Sequence, residues 1–538
     1  MNRNPIEIFD TTLRDGTQGE GVTLSVKDKV RIAIRLDEFG MDFIEGGWPG
    51  SNPKDESFFK EIRKEKLHHS RICAFGSTAR FPDKVLSDAN LNLMLAAETS
   101  VVSIFGKAWK LHSELGLELD SSENETLIYE SIQYLKSEGR QVIFDAEHFF
   151  DGYKDDPEFA LQMVKAAGKA EADTIVLCDT NGGSLPSEIS DIVHVVKKKI
   201  SAPLGVHAHN DSELAVSNTI AAVEAGVSHV QGTINGVGER CGNANLISII
   251  PNMILKLGLK TVQKIDLTQL SSISHFVSEV MNFAPDQRAA YVGRSAFAHK
   301  GGIHVSAVLK NSTMYEHIEP EIVGAQRRVL VSDLSGQSNI RYKASELDVR
   351  LNGDKTLTKK VVNRIKALEH AGYQFDGAEA SFELILQEEL GAFQPFFDVL
   401  DSRINVNYGE NGHKHADAML KVIVDGEVEH TIADGVGPVN ALNLALKKAL
   451  VRFYPEIKDV KLVDYKVRVL EERAGTESKV RVLAESSDGK ESWSTVGVSE
   501  NIIEASWQAL RDSFNYRLYI KKKKNAHSRK VKGLAKPY

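Results

Sequence analysis

Residues 174–233 read TIVLCDTNGGSLPSEISDIVHVVKKKISAPLGVHAHNDSELAVSNTIAAVEAGVSHVQGT. Three short apolar runs in this stretch, Thr174–Cys178, Leu204–His207 and His229–Thr233, are separated by longer segments. The segment Leu214–Ala225 has the apolar spacing of an amphipathic helix. Continuous apolar strands that alternate with helices indicate a parallel sheet with helical crossovers.

The same alternation extends back to the start of the chain. The five earlier apolar runs are Ile6–Asp10, Asp42–Gly46, Arg71–Phe75, Val101–Phe105 and Gln141–Phe144. Eight strand–helix units in about 250 residues predict an α/β fold of the (β/α)8 TIM barrel type. A doubly wound open sheet is the alternative, but it would not explain why polar motifs follow nearly every strand.

The alternation stops near Asp266, which suggests further domains. We expect a catalytic barrel over residues 1–265 and helical linker subdomains over 266–400 that contribute to the active site. A C-terminal α+β regulatory domain over 401–520 and a basic tail over 521–538 would follow.

The C-terminal region contains an internal repeat. Leu420–Ile432 precedes a helix at Pro438–Phe453, and Val480–Val496 precedes a helix of similar length at Asn501–Phe514. In both copies a strand hairpin leads into an amphipathic helix. Two such units predict a compact regulatory or dimerising module rather than a second catalytic domain.

Composition excludes several classes of protein. The chain has 538 residues and a net charge of −8, which gives no reason to expect nucleic-acid binding. It has no run of about 18 apolar residues, so we expect no membrane span. The N-terminus lacks the apolar region of a signal peptide, and three cysteines without a C-x-x-C pair do not form a disulfide framework. We therefore expect a protein of the reducing cytoplasm.

Charged and imidazole side chains follow the first, seventh and eighth strands. Arg14 and Asp15 could pair with each other, but at a strand end Arg14 could also face a developing oxyanion and Asp15 a metal. His207 and His209 are two residues apart on a strand, so both imidazoles point to the same side and can reach one ion. Asn243 could give the ion a carbonyl oxygen. These residues predict a metal site at the barrel rim.

Taken together, the motif Asp10-Thr-Thr-Leu-Arg14-Asp15-Gly16, the His207-x-His209 pair and Asn243 resemble a known signature. It is that of the metal-dependent Claisen-condensing barrel enzymes: isopropylmalate, homocitrate and citramalate synthases, with lyase relatives. The resemblance covers nearly the whole chain, including the helical middle and a C-terminal repeat similar to an amino-acid-sensing domain. Three segments resemble the long citramalate synthase type most: EGGWPGSNPK at 45–54, FDAEHFFDGY at 144–153 and VSDLSGQSN at 331–339.

The resemblance implies roles for single residues. Asp15, His207, His209 and Asn243 would hold a divalent metal, and this mixed donor set suits Mg, Mn or Zn without selecting one. Arg14 would stabilise the alkoxide that forms when the oxoacid carbonyl is attacked.

Other positions match the family's substrate-binding residues. Thr180 and Glu147 would hold the oxoacid or position acetyl-CoA, and Gln18 and His112 are further substrate-binding candidates.

The proton-abstracting base is implied to lie after the barrel. The motif Ala298-His299-Lys-Gly-Gly-Ile-His304 contains the family's histidine, which we assign to His304. Glu147 is the other candidate for the base, and Tyr315 would order the site. In the family this histidine often serves the partner subunit's site, which implies a homodimer.

The implied reaction condenses acetyl-CoA with pyruvate and hydrolyses the thioester, giving citramalate and CoA. It is the first step of a threonine-independent route to isoleucine. Larger 2-oxoacids, 2-oxoisovalerate or 2-oxoglutarate, remain alternatives, as does a lyase acting on hydroxymethylglutaryl-CoA. A ligand sensor without catalysis is less consistent with four filled metal positions.

A regulatory site is expected in the C-terminal repeat. Asp434, Gly435, Gly437 and Pro438 lead into a helix whose exposed N–H groups could bind an amino-acid carboxylate. A plain tight turn explains the same residues equally well, and the resemblance favours isoleucine as effector. The second copy begins its helix at Asn501 without the glycine–proline pair, so two equivalent sites in one chain are not expected.

Overall fold

The computed structural model describes residues 4–349, 351, 354–408, 414–470 and 478–534. It comprises two compact units. The first runs to Phe297 and includes Ile318–Gln326, and the second contains Ala298–His317 and the chain from Arg327 onward.

Eight parallel strands close into a barrel in the first unit, as the sequence predicts. Strand β1 pairs with β8, with Glu7 opposite His229, and this pairing excludes the open sheet. Apolar side chains of Phe9, Phe43 and Val176 fill part of the interior, so the barrel is a packed core and not a pore. The strands are β1 Glu7–Asp10, β2 Phe43–Gly47, β3 Arg71–Ser77, β4 Val101–Lys107, β5 Gln141–Glu147, β6 Thr174–Asp179, β7 Leu204–Ala208 and β8 His229–Gly232.

Helices surround the barrel and bury its outer face. The first of them begins after Ser25, whose hydroxyl accepts the N–H of Asp28, and it ends at Gly40, which has a φ of 99°. The helices are α1 Val26–Phe39, α2 Pro53–Ile62, α3 Ala89–Ala96, α4 Lys110–His112, α5 Ser121–Ser137, α6 Phe149–Asp155, α7 Pro157–Lys169, α8 Pro186–Lys197, α9 Ala215–Ala225 and α10 Leu246–Pro251.

The first unit extends past residue 265, where the strand–helix alternation ends. Helix α11, Leu270–Val280, buries Ile273 and Val277 in the same apolar core as the barrel helices. Ser271 Oγ donates a hydrogen bond to the Val323 carbonyl, at 2.8 Å. The barrel unit therefore extends beyond the expected boundary at residue 265, because the apolar face of α11 packs with the barrel rather than with the linker.

The second unit begins with short elements. Strands β9, Ala298–His299, and β10, Arg328–Val329, form a two-stranded parallel sheet. The helices are α12 Gly302–Val308, α13 Gln337–Glu346, α14 Lys355–His370 and α15 Glu379–Glu389. This segment is therefore mostly helical, as predicted. Apolar side chains of α13 to α15 form one shared core.

The C-terminal repeat is built from two similar units, as the sequence predicts. Each is a three-stranded antiparallel sheet followed by a helix. Leu442 and Leu446 of the first helix pack against the first sheet, and Ala505 and Ala509 of the second helix pack against the second sheet. The first copy comprises β11 Asp398–Tyr408, β12 Lys414–Val424, β13 Glu427–Gly435 and α16 Pro438–Val451, and the second β14 Lys461–Val469, β15 Val480–Ser487, β16 Ser492–Ser499 and α17 Ile502–Leu534.

The expected basic tail is not separate from this repeat. Helix α17 continues to Leu534. Lys523 Nζ donates to the Leu347 carbonyl at 2.7 Å and lies 3.3 Å from an oxygen of Glu383, whose side chain is buried. The first lysines of the tail are thus docked by hydrogen bonds and ion pairs, while residues 535–538 lie outside the described residues.

Among the residues that the structure describes, no helix combines the length and apolar character needed to cross a membrane.

Candidate active site

The groups that follow β1 and β7 meet at the carboxyl end of the barrel. His207 Nε2 and His209 Nε2 lie 3.6 and 3.8 Å from one oxygen of Asp15. The two imidazole nitrogens are 3.3 Å apart, and all three residues are buried. The structure therefore brings together three of the four predicted ligands around a volume that one ion could occupy.

Asn243, the fourth predicted ligand, is held beside them by the loop after β8. The N–H of Ala244 donates to the Ala208 carbonyl at 2.9 Å, which ties this loop to the end of β7. Asn243 Nδ2 donates to Asp15 at 3.1 Å. Its Oδ1 is buried and has no hydrogen-bond partner among the described residues, so this oxygen is available to a ligand.

The electrostatics of this group suit a cation. Burial lowers the pKa of His207 to about 4 and also lowers that of His209, so both imidazoles are neutral near pH 7 and keep a lone pair. Burial alone would raise the pKa of Asp15, but the Arg14 guanidinium, the two imidazoles and the Asn243 amide together outweigh it and hold the pKa well below its usual range. One carboxylate, two neutral imidazoles and an amide oxygen fit Mg, Mn or Zn.

Arg14 is fixed by two carboxylates and an aromatic ring. Its Nε donates to Glu45 at 2.6 Å, and its Nη1 donates to Asp15 at 2.8 Å. The guanidinium carbon lies 3.7 Å from the centre of the Phe75 ring. Arg14 and Asp15 thus do pair with each other, but Glu45 orients the guanidinium beside the metal group, and the sequence argument had not assigned that role.

A cavity of about 270 Å³ opens at this end of the barrel. Of the predicted residues outside the metal group, Arg14, Gln18, Glu147 and Thr180 line it. One wall is aromatic and consists of Trp48, Phe75 and Phe105. The Trp48 ring meets the other two rings edge-on, at 5.7 and 5.8 Å between centroids.

Neighbouring loops hold the polar residues of the cavity. Glu147 forms an ion pair with Lys107 across strands β4 and β5. Thr180 Oγ1 accepts the N–H of His148 at 2.9 Å, and its carbonyl accepts a hydrogen bond from Arg240 at 2.7 Å.

His112 is not among the residues that line the cavity. Its ring stacks on Trp109 at 5.1 Å and packs against His148 at 4.3 Å between centroids. The prediction that His112 binds substrate is not supported by this placement, because the ring is engaged in an aromatic cluster.

His304 and Tyr315 lie in the second unit, where their rings stack at 4.3 Å between centroids. Both side chains are exposed. His299, the other histidine of the motif, instead binds Glu316 at 2.9 Å, and Arg327 pairs with the same carboxylate. Of the two histidines, His304 is thus the one that presents its ring to solvent, and its role as base stays a prediction.

The predicted effector segment forms the end of β13 and the start of α16. Gly437 caps the helix, and Pro438 is its first residue, as predicted. Val436 is 90% exposed, and its N–H is bonded to Asn440 Oδ1 at 3.2 Å. Asp434 and Gly435 precede it on the strand, so this placement is compatible with either a turn or an anion site.

Two further buried polar residues belong to this site, of which Gln231 escaped the sequence argument and Asp145 entered it only within the motif FDAEHFFDGY. Gln231, in β8, contacts His207 and Asp145, and Asp145, in β5, also lines the cavity. The available signal for Gln231 was a polar residue placed between Val230 and Gly232 in a buried strand, as also at Glu45 in β2. Such a residue is costly to bury unless it has partners.

Comparison with known proteins places the chain in a family. Residues 5–277 match the HMGL-like family model, residues 291–372 the homocitrate synthase post-HMGL domain-like model, and residues 376–518 the LeuA allosteric (dimerisation) domain.

Individual relatives agree with these models. The chain is 53% identical over 518 residues to the (R)-citramalate synthase of Geobacter sulfurreducens, covering 96% of this chain and 98% of the relative. It is 51% identical over 515 residues to that of Aquifex aeolicus, covering 95% and 98%. The solved HMG-CoA lyase of Bacillus subtilis is 20% identical with a TM-score of 0.46, covering 53% of this chain and 97% of that chain. The 53% and 51% identity to the two synthases over nearly the full length shows that the chain belongs to the (R)-citramalate synthases, a family of metal-dependent, acetyl-CoA-condensing barrel enzymes.

Proposed function

We propose that this protein condenses acetyl-CoA with pyruvate and hydrolyses the thioester, releasing (R)-citramalate and CoA. The observation that carries the proposal is similarity over nearly the full length to proteins named for that product. The arrangement of Arg14 beside the three buried metal-site residues agrees with it.

Asp15, His207, His209 and Asn243 would hold the divalent ion. Their donor atoms, including the unpartnered Asn243 Oδ1, match what Mg, Mn and Zn accept. When bound, such an ion supplies Lewis-acid polarisation of a carbonyl oxygen.

Arg14 would stabilise the charge that develops on the oxoacid. Attack on C2 of pyruvate turns the carbonyl oxygen into an alkoxide, and a fixed guanidinium needs little reorganisation to meet that charge. Glu45 and Asp15 hold the guanidinium from two sides, so Arg14 is already oriented before substrate binds.

His304 would remove the methyl proton of acetyl-CoA. The enolate then forms a carbon–carbon bond to C2 of pyruvate, and the alkoxide takes up a proton. His304 is preferred to His299 because the latter is engaged by Glu316, and Tyr315 would orient His304 by stacking. Glu147 is less suited to the task because its carboxylate forms an ion pair with Lys107.

Water would then attack the thioester carbonyl, the carbon–sulfur bond would break, and the sulfur would leave as CoA thiol. This hydrolysis makes the condensation effectively irreversible.

The aromatic wall favours the smallest oxoacid. Trp48, Phe75 and Phe105 form an apolar wall of the cavity, and the Arg14 guanidinium packs on the Phe75 ring, so a 2-oxoacid whose polar end faced Arg14 would lie next to this wall. Pyruvate carries only a methyl group there. An apolar pocket discriminates by about 1–3 kcal/mol per methylene, and 2-oxoisovalerate carries two more carbons than pyruvate, so a preference of about 100-fold or more is expected.

The C-terminal repeat would make the enzyme a regulated homodimer. The match to a LeuA allosteric (dimerisation) domain supports both functions. We propose isoleucine as the feedback inhibitor, with its carboxylate at the start of α16 near Gly437 and Pro438, and the pathway step as the first of a threonine-independent isoleucine route.

The test is an oxoacid panel. Purified protein receives acetyl-CoA, a divalent metal and pyruvate, 2-oxoisovalerate or 2-oxoglutarate, and free thiol release is followed with and without isoleucine or leucine. We expect release with pyruvate and inhibition by isoleucine. Faster turnover of either larger oxoacid, or cleavage of hydroxymethylglutaryl-CoA without any condensation, would refute the proposal.

A further inference from the structure

A row of hydrogen-bonded side chains crosses the barrel interior and ends at the metal group. His207 Nδ1 lies 2.9 Å from Gln231 Oε1, Gln231 Nε2 lies 3.0 Å from Asp145 Oδ1, and Ser103 Oγ lies 2.9 Å from Asp145 Oδ2. The four residues come from β7, β8, β5 and β4, and each is at most 6% exposed.

The hydrogen bonds in this row converge on Asp145. The carboxylate of Asp145 accepts at both oxygens, one from the Ser103 hydroxyl and one from the amide nitrogen of Gln231. The amide oxygen of Gln231 therefore faces His207, and because an amide oxygen can only accept, His207 Nδ1 must carry the proton. Burial raises the pKa of Asp145 to about 7, and above that pH the carboxylate has no proton to donate, so the reverse amide orientation would set two acceptor oxygens of Gln231 and Asp145 against each other.

We propose that Gln231, held by Asp145, is a positioning residue that fixes His207 in the Nδ1-protonated tautomer. Its Nε2 then keeps a lone pair directed at the space between Asp15 and His209, where the divalent ion would bind. The inference rests on the metal site of the proposed function and assigns a role to residues outside it.

The other metal-site histidine is held differently. His209 Nδ1 is buried and has no hydrogen-bond partner among the described residues. The row thus fixes the ring of His207 but does not reach that of His209. His207 is therefore the imidazole whose tautomer is set before any ion arrives, as is common for ligands with an oriented second nitrogen.

A purely structural role would have a different consequence. If Gln231 only satisfied buried polar groups, its loss would lower stability in proportion to the hydrogen bonds removed. A folded variant of Gln231 would then bind metal as tightly as a variant that is equally destabilised by a change elsewhere in the protein. Metal affinity and stability must therefore be measured on the same variants.

The experiment measures Mn²⁺ and Zn²⁺ affinity by competition with a chromophoric chelator, together with the thermal unfolding midpoint without metal. Gln231→Met keeps the length of the side chain but lacks an acceptor for His207. We expect metal affinity to fall about 10- to 100-fold. Asn124→Leu is the control, because it removes another fully buried amide of the barrel unit, one bonded to the Lys107 carbonyl. It should lose stability but keep wild-type affinity.

A second pair of variants covers the case that Gln231→Met does not fold. Asp145→Asn retains an acceptor for Gln231 Nε2 and should keep affinity within about threefold, whereas Asp145→Leu should lose it as Gln231→Met does. Wild-type affinity in Gln231→Met, or in Asp145→Leu, would overturn the role of the row. If the wild-type protein binds neither ion, the metal site of the proposed function fails instead, so the two failures are distinguishable.

Discussion

Asp10 illustrates how a single buried carboxyl couples this fold to pH. It is the last residue of β1 and is fully buried. Burial raises its pKa to about 7, although both its oxygens accept hydrogen bonds from Thr12, each at 2.9 Å. Because the folded pKa lies above that of the unfolded chain, the folded state binds more protons between about pH 4 and pH 7, and stability falls as pH rises through this window.

We therefore predict that Asp10→Asn reduces the loss of stability that the wild-type protein shows as pH rises. The amide carries no charge at any pH, so the variant should gain stability relative to wild type as pH rises from 4.5 to 8, by at most about 3 kcal/mol. Thermal unfolding midpoints across that range, at constant ionic strength, test it.

Asp37→Asn is a control for which the opposite pH dependence of stability is expected. Asp37 accepts backbone N–H groups of His68, His69 and Ser70, and although burial opposes ionisation, these bonds lower its pKa. The ionised Asp37 side chain stabilises the fold above the pKa it has in the unfolded chain, and this stabilisation is lost as pH falls. The variant should therefore be less stable than wild type near neutral pH. An Asp10→Asn variant that follows wild type at every pH would contradict the prediction.

At the residue scale, the sequence predicted the residues that belong to charged or imidazole motifs but not the isolated polar residues of the strands. Arg14, Asp15 and Asn243 follow strands, where a barrel concentrates its chemistry. Glu45 and Gln231 lie inside apolar strands, and their partners are 31 and 24 residues away in the chain. Only the closed barrel brings these pairs together, so a single polar residue in a strand could not be assigned a partner beforehand.

At the element scale, apolar runs predicted all eight barrel strands to within a few residues, because a strand buried on both faces has few polar positions. The end of the barrel unit was harder to predict. Helix α11 has the same amphipathic pattern whether it packs on the barrel or belongs to the linker, and only the contact of Ile273 and Val277 with the barrel core decides between them.

The conformation of the loop after β8 leads to a prediction about stability and metal affinity. Gly242 has a φ of 93°, and a Cβ there would lie 2.0 Å from the Gly236 carbonyl oxygen, which also accepts the N–H of Asn243 at 3.0 Å. Gly242→Ala must shift this loop and with it the Asn243 side chain. Strain of about 1–3 kcal/mol is expected, with metal affinity reduced about tenfold or more.

Gly258→Ala is the matched control for the loop. Gly258 also has a positive φ, of 64°, but a Cβ there would meet nothing within 4 Å. It should cost about 1 kcal/mol of stability and leave metal affinity unchanged. Chelator competition and unfolding midpoints of both variants measure the difference, and equal metal affinities in the two would show that the loop does not position Asn243.

At the scale of the whole molecule, the proposed chemistry is divided between the two units. Arg14 and the metal group belong to the barrel unit, whereas His304 and Tyr315 belong to the second unit. The family resemblance implied this division, because the histidine motif that matches the family follows the end of the alternating pattern. The resemblance also implied that this histidine serves the partner subunit's site, but no local pattern of the sequence decides this, since it depends on assembly.

Complementation between subunits distinguishes the two possibilities. Each of His207→Ala and His304→Ala should be inactive alone, the first through loss of a metal-site residue and the second through loss of the base. In hybrid dimers purified through two different tags, one barrel keeps its metal group and can receive His304 only from the partner subunit. If the base acts across the dimer, hybrids should recover about half of the wild-type rate per dimer, since one of two sites is complete. Dimers that carry His207→Ala in both chains are the control and should stay inactive. Hybrids as inactive as their parents, with metal binding intact in the His304→Ala chain, would show that each His304 serves its own barrel.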